Sequence, residues 1–236
     1  MNAADPIRRV SVVSTGQVQI RPDHVTSTWR PTAVWLLASR TWTGPRPINA
    51  YVIEHRDGLV LFDTGQDRAS VTDPGYFPGG LTGVLYSRLA RFDISAQQTL
   101  TAGLGRLGYA AGDVKTAVIS HLHQDHIGGL AELSHADIIS QAEWDTLSSP
   151  LPELRGLMRR HIDLPGLRWR RITPEPAQDP GHVPGVGNRR HLRQATAMVS
   201  QMWQHCPGLA ILPAHDPGAA GRLAQATGQA PTLERA

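Results

Sequence analysis

Cysteine, lysine and long apolar runs are scarce in this sequence, and each scarcity excludes a class of protein. Cys206 is the only cysteine among 236 residues, so no intrachain disulfide can form, which is typical of a reducing compartment. No apolar run approaches the length of a membrane span, and residues 1–16 lack the apolar core of a signal peptide. We therefore expect a cytoplasmic protein without a membrane segment.

The basic residues are almost all arginine, since Lys115 is the only lysine. The arginines are scattered, with short doublets such as Arg8-Arg9 and Arg170-Arg171, and the net charge is +3. The chain has neither a long basic run nor a basic stripe interleaved with aromatics, so the pattern does not favour nucleic-acid binding. It indicates a solvated, arginine-rich surface.

The apolar content, 40%, is that of a folded globular chain, and 236 residues suit one large domain or two small ones. No repeat, low-complexity tract or clear linker divides the sequence. We therefore expect a single domain over residues 1–236. Strand and helix patterns alternate, with a hairpin-rich first half, which predicts an α/β layered fold.

The first half gives the clearer strand signals. Residues 7–20 alternate between apolar and polar positions around Gly16, which predicts an opening strand or a hairpin. A stronger hairpin follows, in which AYVIEH and LVLFDTG flank Arg56-Asp57-Gly58, because Asp-Gly is a strong turn signal. The second of these strands ends at Asp63, where we expect the chain to enter a loop.

The other segments give shorter signals. Residues 65–93 are rich in glycine, proline and aromatics, which indicates a long loop or a short helical excursion. Its apolar residues could line a pocket or simply pack as in any surface loop; they are Tyr76, Phe77, Leu81, Leu85 and Tyr86. One further helix is predicted from a cap at Ser95 to about Leu107, and another is predicted to start near Gly128. Two more are predicted at 154–161 and 191–205. Further predicted strands cover 116–120, 137–140 and 209–212.

The stretch SHLHQDHIGG, residues 120–129, places four ligand-type side chains within six positions directly after an apolar strand. At a strand end, side chains two residues apart point the same way, so His121 and His123 can reach one ion. Asp125 and His126 follow at once and can point to a second ion nearby. Imidazole nitrogens and carboxylate oxygens are ligands that zinc accepts, so the pattern favours a metal site over an ordinary polar loop.

The motif His-x-His-x-Asp-His after a buried strand resembles the signature of the metallo-β-lactamase-fold hydrolases. LVLFDTG resembles the strand of that family that ends in Asp-x-Gly, DPGHVPG at 179–185 its third-histidine loop, and LPAHDP its last-histidine loop. With QAEW at 141–144, these segments are most like the N-acyl-homoserine-lactone lactonase branch. The resemblance spans roughly residues 7–220 and implies a metallo-β-lactamase-like αββα sandwich, here with a shortened second half.

The resemblance also implies a set of metal ligands and one supporting residue. The implied ligands are His121, His123 and His182 for a first ion, and Asp125, His126 and His215 for a second. One or two zinc ions are therefore expected per chain. Asp63 would accept a hydrogen bond from a ligand histidine and fix its tautomer, although it could also simply cap a turn.

The implied activity is a zinc-dependent hydrolase that opens lactones or related esters through a metal-activated hydroxide. Asp125 would be a ligand or the catalytic group that orients this hydroxide and passes on its proton. The implied partner is a small-molecule lactone or ester, and a homodimer is the expected assembly if the chain self-associates. The remaining histidines lie in no motif and are expected at the surface; they are His24, His55, His135, His161, His191 and His205.

The sequence departs from the family pattern between the last two histidines. The family has an aspartate there that bridges the two metals, followed in the lactonases by a tyrosine that contacts the substrate. Residues 180–215 contain no aspartate and no glutamate, so an internal deletion is expected. The alternative to an active hydrolase is therefore a shortened, catalytically weak or inactive member that keeps the fold and binds at most one metal firmly.

Overall fold

A computed structural model describes residues 6–25, 38–140, 147–148, 150–171, 199–200, 204–205 and 210–228 of the chain. The strands within these residues are Ile7–Ile20 (β1), Arg46–His55 (β2), Gly58–Phe62 (β3), Ala90–Asp93 (β4), Val114–Ile119 (β5), Asp137–Ser140 (β6) and Arg168–Arg171 (β7). They form one seven-stranded sheet in the order β4-β1-β2-β3-β5-β6-β7. Pairing is antiparallel from β4 to β3 and parallel from β3 to β7. The predicted α/β architecture with a hairpin-rich first half is confirmed.

Helices connect these strands. The α-helices in the described residues are Pro22–Val25 (α1), Ala69–Thr72 (α2), Gly80–Leu89 (α3), Leu100–Arg106 (α4), Gln124–Ile127 (α5), Arg159–Ile162 (α6) and Ala219–Thr227 (α7). The 3₁₀ helices are Ala111–Asp113, Leu130–Glu132 and Pro152–Arg155. Within the described residues no helix has the length and apolar character needed to cross a membrane.

The opening segment is one continuous strand with a bulge. β1 pairs β2 over most of its length and β4 at its C-terminal end. The register with β2 shifts between Ser14 and Gln17. Gly16, inside this shift, has φ +115°, and a Cβ on it would lie 2.6 Å from Cγ1 of Ile94. A bulge at this glycine lets β1 bend and serve two partners.

The predicted hairpin is present. His55 pairs with Gly58 across the two-residue turn Arg56-Asp57, and Gly58 has φ +133°. On the far side of β3 lies β5, which runs parallel to it, so that the C-terminal ends of β3 and β5 meet at one edge of the sheet. Ligand sites of α/β sheets form at this edge. Asp63 follows β3 and the histidine cluster follows β5, so the topology brings them together.

The core lies between the sheet and the helices that pack on it. Leu61 of β3, Ala117 of β5 and Leu104 of α4 are fully buried in one apolar cluster. α4 approaches β1 closely because Gly103 faces Val13, where a Cβ would overlap the valine side chain. Burial of a leucine side chain such as that of Leu61 or Leu104 stabilises the fold by roughly 2 kcal/mol.

Several predicted elements differ from the structure. The helix expected from Ser95 begins at Leu100, where the Thr99 side chain caps it by accepting a hydrogen bond from Ala102 N at 3.2 Å. Residues 65–93, expected to form a long loop or a short helical excursion, contain the helices α2 and α3 and the strand β4. Residues 210–212, expected in a buried strand, are half-buried and form no strand.

The helix predicted at 154–161 is instead two short segments, Pro152–Arg155 and Arg159–Ile162. They are separated at Gly156, whose φ of +86° interrupts a right-handed helix. Residues 152–162 are called the 152–162 segment below, because its two halves contact different parts of the candidate site. The predicted helix 191–205 and the segment QAEW fall almost wholly outside the described residues.

Candidate metal centre

Asp63 forms the base of the centre, one residue beyond β3. Its φ of 59° lies in the left-handed region, which aspartate enters more readily than most non-glycine residues. The side chain is buried, and its carboxylate accepts two hydrogen bonds from Ser120, from N to Oδ1 at 2.8 Å and from Oγ to Oδ2 at 2.9 Å. The backbone N–H of Asp63 donates to Val118 O at 2.8 Å. These contacts fix the carboxylate against the end of β5.

His126 is the histidine that Asp63 contacts directly. Its Nδ1 lies 2.7 Å from Asp63 Oδ2, and its backbone oxygen accepts from Thr64 N at 2.8 Å and from Thr64 Oγ1 at 2.9 Å. Burial lowers the pKa of His126, but the hydrogen bond to Asp63 and the charges of Asp125 and Asp63 raise it by more. The contact expected of Asp63 is present, while the role of His126 as a metal ligand stays a prediction.

His121 lies beside His126, with ring centroids 3.9 Å apart. Its Nδ1 is 3.1 Å from Ser120 Oγ. Burial first, and then the neighbouring His126 and His123, lower the pKa of His121 to about 3. The ring is therefore neutral at neutral pH and keeps the lone pair that a metal needs.

His123 is held from a different direction. Its ring centroid is 4.7 Å from that of His121, and its Nε2 is 3.2 Å from the backbone oxygen of Arg155. Gly156 packs against the same ring, and a Cβ there would lie 3.1 Å from Cδ2 and Nε2. The first half of the 152–162 segment therefore fixes the orientation of His123.

His215 reaches the centre from the loop before α7. Its Nδ1 lies 3.0 Å from Pro47 O, and its Nε2 lies 3.2 Å from Asp125 Oδ2. The loop is attached to β2, because Asn49 N donates to Ala214 O at 3.0 Å. Burial raises the pKa of Asp125, but its hydrogen bond with His215 and the charges of nearby histidines lower it by more, so this carboxylate is ionised.

The arrangement fits a metal ion. One ligand atom each from His121, Asp125 and His126 lie within 4.8 Å of one another. Ring nitrogens with a fixed partner are His121 Nδ1, His123 Nε2, His126 Nδ1 and His215 Nδ1. Metal-ligating histidines are usually held in this way through the nitrogen that does not bind the metal. For His126 and His215 the other nitrogen, Nε2, faces Asp125 Oδ2 at 3.8 and 3.2 Å.

The structure thus gathers five of the six predicted ligands at one edge of the sheet, with His121, Asp125 and His126 in the compact group and His123 and His215 beside it. The sixth, His182, lies outside the described residues, as does Cys206. Zinc suits this set of imidazole and carboxylate donors. Gly128 lets the end of the motif approach the loop that follows Asp63, because a Cβ there would overlap the backbone of Gln66 and Asp67.

Sequence reasoning missed several partners of these rings. Ser120 could have been found, because it directly precedes the motif at the strand end. The carbonyl groups of Arg155 and Pro47 leave no signal, since every residue has one. His161, expected at the surface, is half-buried and stacks on Tyr76 with centroids 4.2 Å apart.

For the apolar residues of 65–93 the structure favours ordinary packing over a shared pocket. Tyr76 and Tyr86 are buried with Met158 in a small apolar cluster, and Tyr86 Oη donates to Glu153 O at 2.8 Å. Leu81 is 86% exposed and lines no interior surface. Packing against the 152–162 segment, rather than a shared pocket, explains the buried members.

Fold and site together define an α/β protein with a cluster of histidine and aspartate side chains, suited to metal binding, at the C-terminal edge of its parallel strands. A sequence profile described as the Metallo-beta-lactamase superfamily matches residues 43–208. The chain belongs to this superfamily, and its metallo-β-lactamase-like α/β fold is confirmed. The shortened second half and the deleted aspartate concern residues 172–198, which lie outside the described residues.

The curated relatives point to the lactonase branch. The chain is 29% identical over 157 residues to N-acyl homoserine lactonase AttM of Agrobacterium fabrum, covering 59% of this chain and 57% of that protein. It is 31% identical over 125 residues to AttM of Rhizobium johnstonii, covering 52% and 46%. The chain therefore spans about half the length of these relatives. A solved N-acyl homoserine lactone hydrolase with bound N-hexanoyl-L-homoserine superposes with a TM-score of 0.57 at 22% identity, covering 75% of this chain and 64% of that one, which shows a shared fold.

Proposed function

We propose that this protein is a zinc-dependent hydrolase that opens lactones or related esters. One observation carries the proposal: His121, Asp125 and His126 converge within 4.8 Å while fixed partners hold the outer ring nitrogens. Similarity to N-acyl homoserine lactonases supports a small-molecule lactone as the substrate.

The residues of this chain have separate tasks in the proposal. A zinc ion at the centre would lower the pKa of bound water and polarise a carbonyl group. His121 and His126 would hold it, with His123, His182 and His215 as the other imidazole ligands. Asp125, ionised and hydrogen-bonded to His215, would act as a ligand or accept a proton during ring opening. Asp63 would keep His126 in the tautomer whose Nε2 can bind metal.

The second candidate is a catalytically weak or inactive member that binds at most one metal firmly. One feature of the sequence favours it: residues 180–215 contain no carboxylate that could bridge two ions. Two dications held close together repel each other, and without a bridging charge the second would bind more weakly. The two candidates therefore differ in metal count and in turnover.

Zinc analysis combined with a lactone-opening assay separates the two candidates. Purified protein is loaded with zinc, dialysed and analysed for metal, and opening of N-hexanoyl-homoserine lactone is followed by acid release. His123→Ala should reduce turnover by about 1000-fold, because loss of several kcal/mol of transition-state stabilisation corresponds to that factor. The control is His55→Ala, at the end of β2 in the hairpin, which should keep the zinc content and the rate of lactone opening of the wild type. One zinc with no ring opening would select the second candidate, and full activity after zinc removal would contradict the first.

We further propose that the chain acts as a single cytoplasmic domain and self-associates, if at all, as a homodimer. The continuous seven-stranded sheet, which links residues 7 to 171, supports one domain. Light scattering on the purified chain tests the assembly: a mass other than that of one or two chains of 25.6 kDa would contradict it.

A further inference from the structure

Ser120 lies between Asp63 and the ring of His121. Its hydroxyl oxygen is 2.9 Å from Asp63 Oδ2 and 3.1 Å from His121 Nδ1. Its backbone N–H also donates to Asp63 Oδ1 at 2.8 Å, which fixes the serine relative to the carboxylate. One hydroxyl therefore connects the buried aspartate to a histidine that the aspartate does not itself hydrogen-bond.

The direction of these hydrogen bonds follows from the chemistry of the groups. A carboxylate only accepts, so the Ser120 hydroxyl uses its single proton in the bond to Asp63. The serine oxygen can then only accept from the rings that face it, His121 Nδ1 at 3.1 Å and His126 Nδ1 at 3.3 Å. For His121, this requires the proton of the neutral imidazole to be on Nδ1. His121 Nε2 is left with its lone pair, which is the form that binds a metal.

We propose that Ser120 is a positioning residue through which Asp63 sets the tautomer of His121. Asp63 thereby controls two histidines, His126 by a direct bond of 2.7 Å and His121 through the serine hydroxyl. The inference rests on the proposed function for the role of both rings as zinc ligands. The tautomer itself requires neither zinc nor turnover.

Removal of the hydroxyl has a defined consequence. In Ser120→Ala, His121 Nδ1–H loses its acceptor, and the ring can place its proton on Nε2 instead, where it opposes metal binding. Loss of a residue that orients a metal ligand typically weakens metal affinity by about 10- to 100-fold, and a single hydroxyl belongs at the lower end. Ser120 is exposed toward the solvent side, so the substitution leaves the core unchanged.

The experiment measures the tautomer and the affinity separately. Long-range ¹H–¹⁵N spectra of the metal-free protein report which nitrogen of His121 carries the proton, and competition with a chelator reports zinc affinity. Wild type and Ser120→Thr, which keeps the hydroxyl, should show the Nδ1–H form. Ser120→Ala should show a mixture or the Nε2–H form, with zinc affinity about 10-fold lower. The control is Ser87→Ala, which removes an exposed hydroxyl that donates to Val84 O at 2.8 Å.

A change at Asp63 tests transmission through the serine. Asp63→Asn keeps a residue that tolerates the left-handed backbone at this position. Asp63 hydrogen-bonds Ser120 and His126 but not His121, so a shift in the tautomer of His121 in this variant would be transmitted through Ser120. We expect such a shift. The proposal is overturned if Ser120→Ala keeps both the wild-type tautomer and the wild-type affinity, or if Ser120→Thr behaves like alanine. A tautomer shift in Ser120→Ala, found together with a wild-type protein that opens no lactone, would support this role of Ser120 and contradict the proposed activity.

Discussion

The four described histidines of the centre form two pairs that differ in what holds them. His121 and His126 are held by side chains, through Ser120 and Asp63. His123 and His215 are held by backbone oxygens, those of Arg155 and Pro47. A side-chain partner can be deleted by one substitution, whereas a carbonyl partner is lost only when the chain moves.

The two pairs also differ in their place in the fold. The side-chain-held pair lies where the adjacent parallel strands β3 and β5 end, so its geometry follows from two neighbouring strands. The carbonyl-held pair depends on segments that approach from elsewhere, the 152–162 segment and the loop before α7. We therefore expect the first pair to be sensitive to side-chain chemistry and the second to be sensitive to backbone geometry.

Asp63→Ala should have the largest effect, because it removes the support of the side-chain-held pair. The buried Nδ1–H of His126 and the N–H of Ser120 lose their acceptor, at about 1–3 kcal/mol for each unsatisfied group. Alanine at φ 59° adds about 1–2 kcal/mol of backbone strain. Urea unfolding should show a loss of at least about 3 kcal/mol, and zinc affinity should fall by about 10- to 100-fold.

The matched control for Asp63→Ala is Asp57→Ala, in the exposed hairpin turn, where the side chain is 77% exposed. This variant should unfold within about 0.5 kcal/mol of wild type. If Asp63→Ala kept the zinc affinity of the wild type, the side-chain-held pair would not depend on its side-chain partner, and the distinction between the two pairs would be wrong.

Gly156→Ala should have an intermediate effect, because it moves backbone that holds His123. Gly156 has φ +86°, and a Cβ would lie 3.1 Å from the imidazole ring. We expect a loss of about 1–2 kcal/mol in unfolding free energy and weaker zinc binding. Arg155→Ala is the control, since it keeps the carbonyl that contacts His123 and removes only an exposed side chain. Equal losses in the two variants would show that the arginine side chain, and not its backbone oxygen, supports the ring.

The smallest expected effect is on the pH dependence of the unfolding free energy, to which His121 and His126 contribute with opposite signs. In the metal-free protein, burial and the neighbouring histidines lower the pKa of His121 to about 3 from an ordinary value of 6.5. The unfolded chain therefore binds more protons between these values, and stability is lost as pH falls from about 6.5. The raised pKa of His126 acts oppositely, since its stabilisation is complete below 6.5 and is lost as pH rises through its folded value. His121→Asn should flatten the decline in urea stability between pH 6.5 and pH 5, and an unchanged slope would contradict this assignment.

Much of the side-chain-held pair could be anticipated from the sequence. The Asp-Gly turn predicts the hairpin, the apolar run 116–120 predicts β5, and the histidine motif follows it directly. The signals were strong because they depend on residues close together in the chain. The interruption of the predicted helix at Gly156 and the loss of the predicted strand at 210–212 were not anticipated, since the conformation there depends on contacts with distant strands.

The sequence by itself determined the class of fold and which candidate ligand side chains the chain offers. The motif names four candidate ligands, and the family resemblance adds His182, His215 and Asp63, because donor identity is a property of side chains. Only the tertiary structure decided which nitrogen of each ring has a fixed partner and which faces the centre. Those partners are a serine hydroxyl, an aspartate that follows another strand, and two backbone carbonyls. Carbonyl positions are set by how the chain packs, and packing brings Arg155 and Pro47 to rings 32 and 168 residues away.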